Sequence, residues 1–123
     1  MPMPRVLVID DELRIRRMLA RGLAPVFAVE CVVDAESALS MIRGGAVFDA
    51  IVCDLNLPRM SGRDFYDALE TRSRDLASRM IVVSGTPPAR DDAFAVMLGE
   101  RYVMKPCSMP DLTATLVRVA SHA

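Results

Sequence analysis

The sequence predicts a single α/β domain built on a parallel sheet of five strands with helices on both faces. Five short apolar runs alternate with five segments whose apolar residues recur at helical spacing. Two of the runs, at residues 50–53 and 80–83, are apolar throughout, as in strands buried on both faces of a sheet. Strands and helices that alternate through connections of ordinary length are typical of a doubly wound sheet.

The five strands are expected at residues 5–9, 29–33, 49–53, 80–83 and 102–104. The second strand mixes apolar and polar residues, so we expect it near an edge of the sheet. The third runs directly into Asp54, which therefore stands at the carboxyl end of a central strand. Open α/β sheets place their ligands at that end.

A helix is expected after each strand. Asp11, Asp34 and Ser108 suit helix N-termini, where side-chain oxygens accept from free backbone N–H groups. Glycines at 44–45 and at 99 are typical of helix ends. The apolar residues at helical spacing are, helix by helix, Leu13, Ile15, Met18, Leu19 and Leu23; Ala38, Leu39 and Ile42; Phe65, Ala68 and Leu69; Phe94, Val96, Met97 and Leu98; and Leu112, Leu116 and Val119.

Composition excludes several classes of protein. The chain has 123 residues, 52% of them hydrophobic, and 15 basic against 16 acidic residues. This near-neutral balance gives no bulk attraction to nucleic acid or to anionic lipid. No apolar run approaches the ~20 residues of a membrane helix, and the start has no secretory signal. We expect one cytoplasmic domain over residues 1–123, without membrane insertion and without a DNA-binding output.

Three cysteines are present, Cys31, Cys53 and Cys107, and His122 is the single histidine. The odd count and the absence of a C-x-x-C pair argue against both a disulfide framework and a zinc site. We expect three buried, reduced thiols.

Polar side chains follow four of the five predicted strands. Asp10 and Asp11 follow the first, Asp54 the third, Ser84 the fourth and Lys105 the fifth. In a parallel sheet these ends share one edge. Each residue alone has an ordinary explanation as a helix cap, loop carboxylate, turn or solvated strand end. Their joint occurrence at that edge predicts a functional site.

The chemistry of this group favours a metal and a phosphate. Two carboxylates ~4 Å apart repel by roughly 4 kcal/mol at an effective dielectric constant near 20. Three are tolerated together if one is protonated or a cation intervenes. Oxygen ligands on an open edge suit Mg²⁺. A carboxylate between a divalent metal and a lysine can attack a phosphoryl group, because charge on the transferring oxygens is neutralised from two sides.

The chain resembles the receiver domain of two-component response regulators over essentially its whole length. The matching motifs are Val6-Leu7-Val8-Ile9-Asp10-Asp11-Glu12, Asp54-Leu55-Asn56-Leu57-Pro58-Arg59-Met60-Ser61-Gly62, Val82-Val83-Ser84-Gly85 and Tyr102-Val103-Met104-Lys105-Pro106. The resemblance implies a flavodoxin-like sheet in the strand order 2-1-3-4-5, flanked by five helices.

The resemblance also implies a phosphorelay function. Asp54 is then the phosphoacceptor, and its donor is a histidine kinase or a histidine phosphotransfer protein. Mg²⁺ is the implied cofactor, bound by Asp11 and Asp54 directly, by Asp10 through water and by the backbone carbonyl of Asn56. Lys105 pairs with the phosphoryl oxygens. The domain then catalyses only its own aspartyl phosphorylation and dephosphorylation.

The switch implied by the resemblance involves Ser84 and Tyr102. Ser84 bonds a phosphoryl oxygen and moves toward it, and Tyr102 turns inward into the vacated space. The surface formed by the fourth predicted helix, fifth strand and fifth predicted helix then changes shape, and it is a possible homodimer face.

Some positions depart from the commonest family pattern. Cys107 replaces a bulky apolar residue after Lys105-Pro106, which loosens the packing expected under the last helix. The peptide bond at the position of Lys105-Pro106 is usually cis in the family. The sequence does not decide between cis and trans here. The short fourth helix after Pro87-Pro88 looks more like the receivers of hybrid histidine kinases than those fused to DNA-binding domains.

Three alternatives remain. The first is an interaction module that keeps the receiver fold and signals without phosphorylation. The second is an aspartyl phosphatase, although Asp54-Leu55-Asn56 lacks its second acidic residue and the chain has no room for a cap domain. The third is a flavin-binding protein, which a missing phosphate loop after the first strand disfavours.

Overall fold

A computed structural model describes residues 3–121. Its five parallel strands lie in the order β2-β1-β3-β4-β5, which confirms the predicted sheet. The strands are β1 (Arg5–Ile9), β2 (Ala28–Val32), β3 (Ala50–Asp54), β4 (Met80–Ser84) and β5 (Tyr102–Met104). β2 and β3 are displaced by one residue from the predicted ranges, and Asp54 is itself the last residue of β3.

Within residues 3–121, six α-helices accompany the sheet where five were predicted. They are α1 (Leu13–Leu23), α2 (Ala35–Arg43), α3 (Gly62–Arg72), α4 (Arg74–Ala77), α5 (Ala93–Leu98) and α6 (Met109–Ser121). The additional helix is α4, in a segment whose polar composition hid it. The Ser73 side chain caps α4 by accepting from the Leu76 N–H at 3.2 Å, and both Leu76 and Ala77 are buried. The fourth and fifth predicted helices are therefore α5 and α6.

Alternate residues along each strand point to opposite faces of the sheet, as the two-residue period of a strand requires, and both faces are buried. On one face, Leu7, Ile51 and Val82 belong to a core that includes Phe65 of α3. On the other face, Val8, Val52 and Ile81 belong to a second core, shared with α1 and α6. All residues of β3 and β4 are buried, whereas β2 is partly exposed at the edge.

Two of the three predicted helix N-caps are confirmed, and the third is wrong. The carboxylate of Asp34 accepts from the Ser37 N–H at 2.7 Å, and the hydroxyl of Ser108 accepts from the Asp111 N–H at 3.1 Å. Asp11 was expected to cap α1, which is wrong. The N-cap residue is Glu12, without a side-chain bond, and Asp10 accepts from its N–H at 2.8 Å.

Two further expectations need correction. Leu13 and Met18 of α1 were assigned to its apolar face, but each is 50% exposed, whereas Leu19 and Leu23 are buried. The three cysteines were all expected to be buried, but only Cys53 is. Cys31 is exposed on the edge strand, and Cys107 is half-buried after β5. His122 lies outside the described residues.

Among residues 3–121, no helix is long and apolar enough to cross a bilayer. The peptide bond between Lys105 and Pro106 is cis.

Candidate functional site

Three carboxylates meet at the carboxyl edge of the sheet. β1 and β3 are neighbours in parallel register, with Ile9 opposite Cys53, so the residues that follow, Asp10 and Asp54, come side by side. One carboxylate oxygen from each of Asp10, Asp11 and Asp54 lies within 4.8 Å of the others. Asp10 and Asp54 are buried, whereas Asp11 is exposed. Two carboxylates of the cluster are therefore buried, and the third faces solvent.

Lys105 brings the positive charge that faces this cluster. Its backbone N–H donates to the carbonyl of Ser84 at 2.8 Å, which continues the pairing of β4 with β5 and fixes the start of the side chain. The ammonium Nζ lies 3.1 Å from Oδ2 of Asp54 and 3.8 Å from Oδ2 of Asp10. One lysine is thus shared by the two buried carboxylates.

The pKa values of this group follow from burial and charge. Burial raises the pKa of Asp10, and the charge of Asp54 adds to the increase, while the Glu12 N–H opposes it. For Lys105, burial alone lowers the pKa, but the hydrogen bond and charge of Asp54 together with the charge of Asp10 outweigh it. The net pKa of Lys105 is raised, so its ammonium stays protonated at neutral pH.

The loop after β3 holds Asp54 in position. The N–H of Asn56 donates to Oδ1 of Asp54 at 3.0 Å, while Oδ2 accepts from Lys105. Each oxygen of the carboxylate therefore has a fixed donor. Asn56 lies beside the acceptor, and metal binding through its carbonyl stays a prediction.

Gly62 begins α3 and lies directly against the end of β3. Its N–H donates to the carbonyl of Leu55 at 2.9 Å. A Cβ atom at this position would lie 2.7 Å from the carbonyl oxygen of Asp54 and 2.9 Å from the Cα atom of Leu55. Only glycine allows α3 to begin so close to the end of β3.

Arg59 secures the same loop from outside, and the sequence analysis did not single it out. It adopts a positive φ of 64°. Its guanidinium donates to Asp34 at 2.9 Å and to Glu36 at 2.8 Å, so the loop is tied to the start of α2. No local signal distinguishes Arg59 from the other exposed arginines.

Ser84 lies next to the cluster but bonds elsewhere. Its side chain is fully buried, and its hydroxyl donates to the carbonyl of Thr86 at 3.2 Å and accepts from the Thr86 N–H at 3.1 Å. The Tyr102 hydroxyl also donates to the Thr86 carbonyl, at 3.0 Å. Within residues 3–121, the Ser84 hydroxyl makes no bond to Asp54 or Lys105. Thr86 acts through its backbone, so its residue type gave no signal.

The donor set fits a hard divalent cation. All three clustered groups are carboxylates, and they are close enough to share one ion. Mg²⁺ prefers oxygen ligands and keeps several of its waters, which suits a cluster with an exposed member such as Asp11. Asp10, Asp11 and Asp54 are the residues that would hold it.

Comparison with known proteins identifies the family. A family model described as the response regulator receiver domain matches residues 6–117. The transcriptional regulatory protein PrrA of Mycobacterium tuberculosis is 33% identical over 113 residues, covering 90% of this chain and 47% of PrrA. The chain thus spans about half the length of the curated relatives it matches.

Solved structures agree with this match. A sensor protein from Polaromonas sp. JS666 is 31% identical with a TM-score of 0.82, covering 97% of each chain. The chemotaxis response regulator CheY4 of Vibrio cholerae is 28% identical with a TM-score of 0.82, covering 95% of this chain and 98% of CheY4. The motifs at the ends of β1, β3, β4 and β5 lie within the matched residues, and the chain belongs to the response regulator receiver domain family.

Proposed function

We propose that the domain accepts a phosphoryl group on Asp54 from the phosphohistidine of a histidine kinase or a histidine phosphotransfer protein. The observation that carries this proposal is the position of the Lys105 ammonium, 3.1 Å from Oδ2 of Asp54, opposite a cluster of three carboxylates. A carboxylate with an adjacent ammonium is arranged to receive an anionic group instead of repelling it.

The proposed transfer uses each group in a defined way. An oxygen of Asp54 attacks the phosphorus, a P–O bond forms, and the P–N bond breaks with its electron pair returning to the donor imidazole. Lys105 neutralises charge on the phosphoryl oxygens. Asp10, Asp11 and Asp54 would hold a divalent cation, which we propose is Mg²⁺. When bound, Mg²⁺ supplies positive charge that offsets the charge on the transferring oxygens.

The proposed output is a change in the surface of α5, β5 and α6. A phosphoryl oxygen offers the Ser84 hydroxyl a charged acceptor in place of the Thr86 carbonyl, and charge-assisted hydrogen bonds are the stronger ones. Loss of that bond loosens the loop on which the Tyr102 hydroxyl also depends. The surface carries exposed apolar side chains that suit a partner or a second copy of the chain: Val96, Met97, Met104 and Val117.

The test of phosphoacceptance is incubation with acetyl phosphate and Mg²⁺, followed by intact-mass measurement. We expect one hydroxylamine-labile phosphoryl adduct in the wild-type protein and none in Asp54→Ala. Asp67→Ala removes an exposed carboxylate from α3 and serves as the matched control, with an adduct equal to wild type. A wild-type protein without adduct, or an equal adduct in Asp54→Ala, would refute the proposal.

The proposed chemistry is limited to the domain's own phosphorylation and dephosphorylation. An aspartyl phosphatase would need a second acidic residue two positions after the nucleophile, where this chain has Asn56. Repeated turnover of a small phosphate ester would revive that alternative. The alternative of an interaction module without phosphorylation gains support if Asp54→Ala leaves partner binding unchanged.

A further inference from the structure

An apolar cavity of about 400 Å³ adjoins the acidic cluster between α1 and the start of α6. Its walls include Ile15 and Met18 from α1, Cys107 from the segment after β5, and Leu112 from α6. The volume falls within the range of roughly 300–1,000 Å³ that small-molecule sites occupy. It is therefore large enough for a ligand of two fused rings.

The cavity is accessible from outside the protein. Met18 is 50% exposed and Pro106 is exposed, and both line it. The apolar side chains of the walls can make dispersion contacts with a ligand that packs closely against them. A ligand with an apolar body gains those contacts and loses its own apolar hydration on entry.

One end of the cavity is polar and negatively charged. Asp10, Asp54 and Lys105 line that end, with Asp11 close by. Asp10 is only 3% exposed, and its Oδ1 accepts from the Glu12 N–H. Its Oδ2 lies 3.8 Å from the Lys105 ammonium and accepts no hydrogen bond from residues 3–121. Carboxylates outnumber ammonium groups here, so this end favours a cationic ligand.

We propose that this cavity binds a lipophilic primary amine, with the apolar body between α1 and α6 and the ammonium against Oδ2 of Asp10. The ammonium of such a ligand and a divalent cation would bind the same cluster of carboxylates, so the amine and the cation compete. Binding does not depend on phosphoryl transfer and is measurable without any phosphodonor.

The experiment is calorimetric titration of the wild-type protein with naphthylmethylamine in the presence of a chelator. Its neutral analogue, naphthylmethanol, has the same ring system without the charge. We expect the amine to bind at least about fivefold more tightly than the alcohol, a difference that a partly buried ion pair can supply. Mg²⁺ should weaken the apparent affinity for the amine and leave that for the alcohol nearly unchanged.

Cys107→Phe tests the location, because a benzyl side chain at this position obstructs part of the chamber. We expect it to weaken amine binding by at least about tenfold, in line with the loss of most apolar contacts. Cys31→Phe makes the same substitution at an exposed cysteine that does not line the cavity, and it should bind like wild type. Ile15→Phe obstructs the chamber from its other wall and replaces Cys107→Phe if that variant does not fold.

Three results would overturn the proposal: neither probe binds, the amine and the alcohol bind equally, or both cavity-filling variants retain wild-type affinity. Adduct formation on Asp54 is measured separately, so failure of this proposal and failure of phosphoacceptance are distinguishable.

Discussion

Ser84 and Tyr102 donate their hydroxyl protons to the same acceptor, the backbone carbonyl of Thr86, at 3.2 and 3.0 Å. Ser84 is fully buried beside the carboxylate cluster, whereas Tyr102 begins β5 and is half-buried. One backbone carbonyl therefore connects the proposed acceptor site to the surface of α5, β5 and α6. A change in either hydroxyl alters the acceptor that the other one shares.

Ser84→Ala should uncouple the site from the surface. The variant loses the bond to the Thr86 carbonyl and leaves the Thr86 N–H without its acceptor, so we expect the free energy of unfolding to fall by about 1 kcal/mol. Asp54 should still be phosphorylated, but the chemical shifts of Tyr102 should respond less to phosphorylation. Urea unfolding and NMR with acetyl phosphate measure the two effects.

Tyr102→Phe is the matched variant for Ser84→Ala in the unfolding measurement. It removes the other bond to Thr86 and leaves both bonds between Ser84 and Thr86 intact. A Tyr102 ring that responds to phosphorylation equally in wild type and Ser84→Ala would show that the coupling does not pass through Thr86.

Gly62→Ala should destabilise the fold by about 1–3 kcal/mol, the usual cost of overpacking. The added methyl group would lie 2.7 Å from a backbone oxygen, which cannot rotate away as a side chain can. Gly85→Ala is the control, because nothing lies within 4 Å of its added methyl group. Urea unfolding should separate the two variants, and equal midpoints would show that α3 can shift away from Asp54 at little cost.

The sheet was predictable because burial leaves a strong signal. β3 and β4 are apolar on both faces, and the polar residues that end the strands mark one edge. α4 was missed because its helical character depends on the Ser73 cap and on two buried residues within four, which is too short for a period to be read.

The site residues were predictable as a group, but their bonds were not. Asp10, Asp54 and Lys105 are drawn together by strand order, which the alternation of elements encodes. Arg59 and Thr86 were missed because one acts through a contact 25 residues distant and the other through its backbone. The exposure of Met18 depends on how α1 packs beside α6, which no local pattern reports.

Lys105→Met should impair phosphorylation far more than folding. The methionine side chain retains most of the aliphatic stem, but the ammonium that we propose faces the transferring oxygens is lost. Removing one charged or hydrogen-bonding donor from a transition state typically costs about 100-fold in rate. We expect a loss of that order in adduct formation from acetyl phosphate, measured by intact mass against time.

Folding of Lys105→Met is checked by thermal unfolding in Mg²⁺. Lys105→Arg keeps the charge and should retain more of the rate than the methionine variant. A Lys105→Met protein that does not fold even with Mg²⁺ would assign the lysine a mainly structural role. Phosphorylation at the wild-type rate would remove Lys105 from the proposed transfer.

Asp10→Asn should stabilise the metal-free protein at neutral pH. Burial raises the pKa of Asp10 above its ordinary value of 3.8, so the folded protein holds this proton more tightly than the unfolded chain does. The stability contributed by protonated Asp10 is complete below pH 3.8 and is lost as the pH rises through the higher folded-state pKa. Above that folded-state pKa the wild-type protein carries the penalty of a buried carboxylate.

Asparagine removes that penalty while its side-chain oxygen can still accept from the Glu12 N–H. In chelator, the thermal midpoint of Asp10→Asn should exceed that of wild type by a few degrees, and the difference should shrink as the pH falls toward 3.8. Mg²⁺ should raise the wild-type midpoint more than that of the variant, because it binds the folded state through carboxylates. Asp67→Asn, which changes an exposed carboxylate, should show neither effect. A variant that is less stable than wild type in chelator would mean that the 3.8 Å pair with Lys105 outweighs the burial of Asp10.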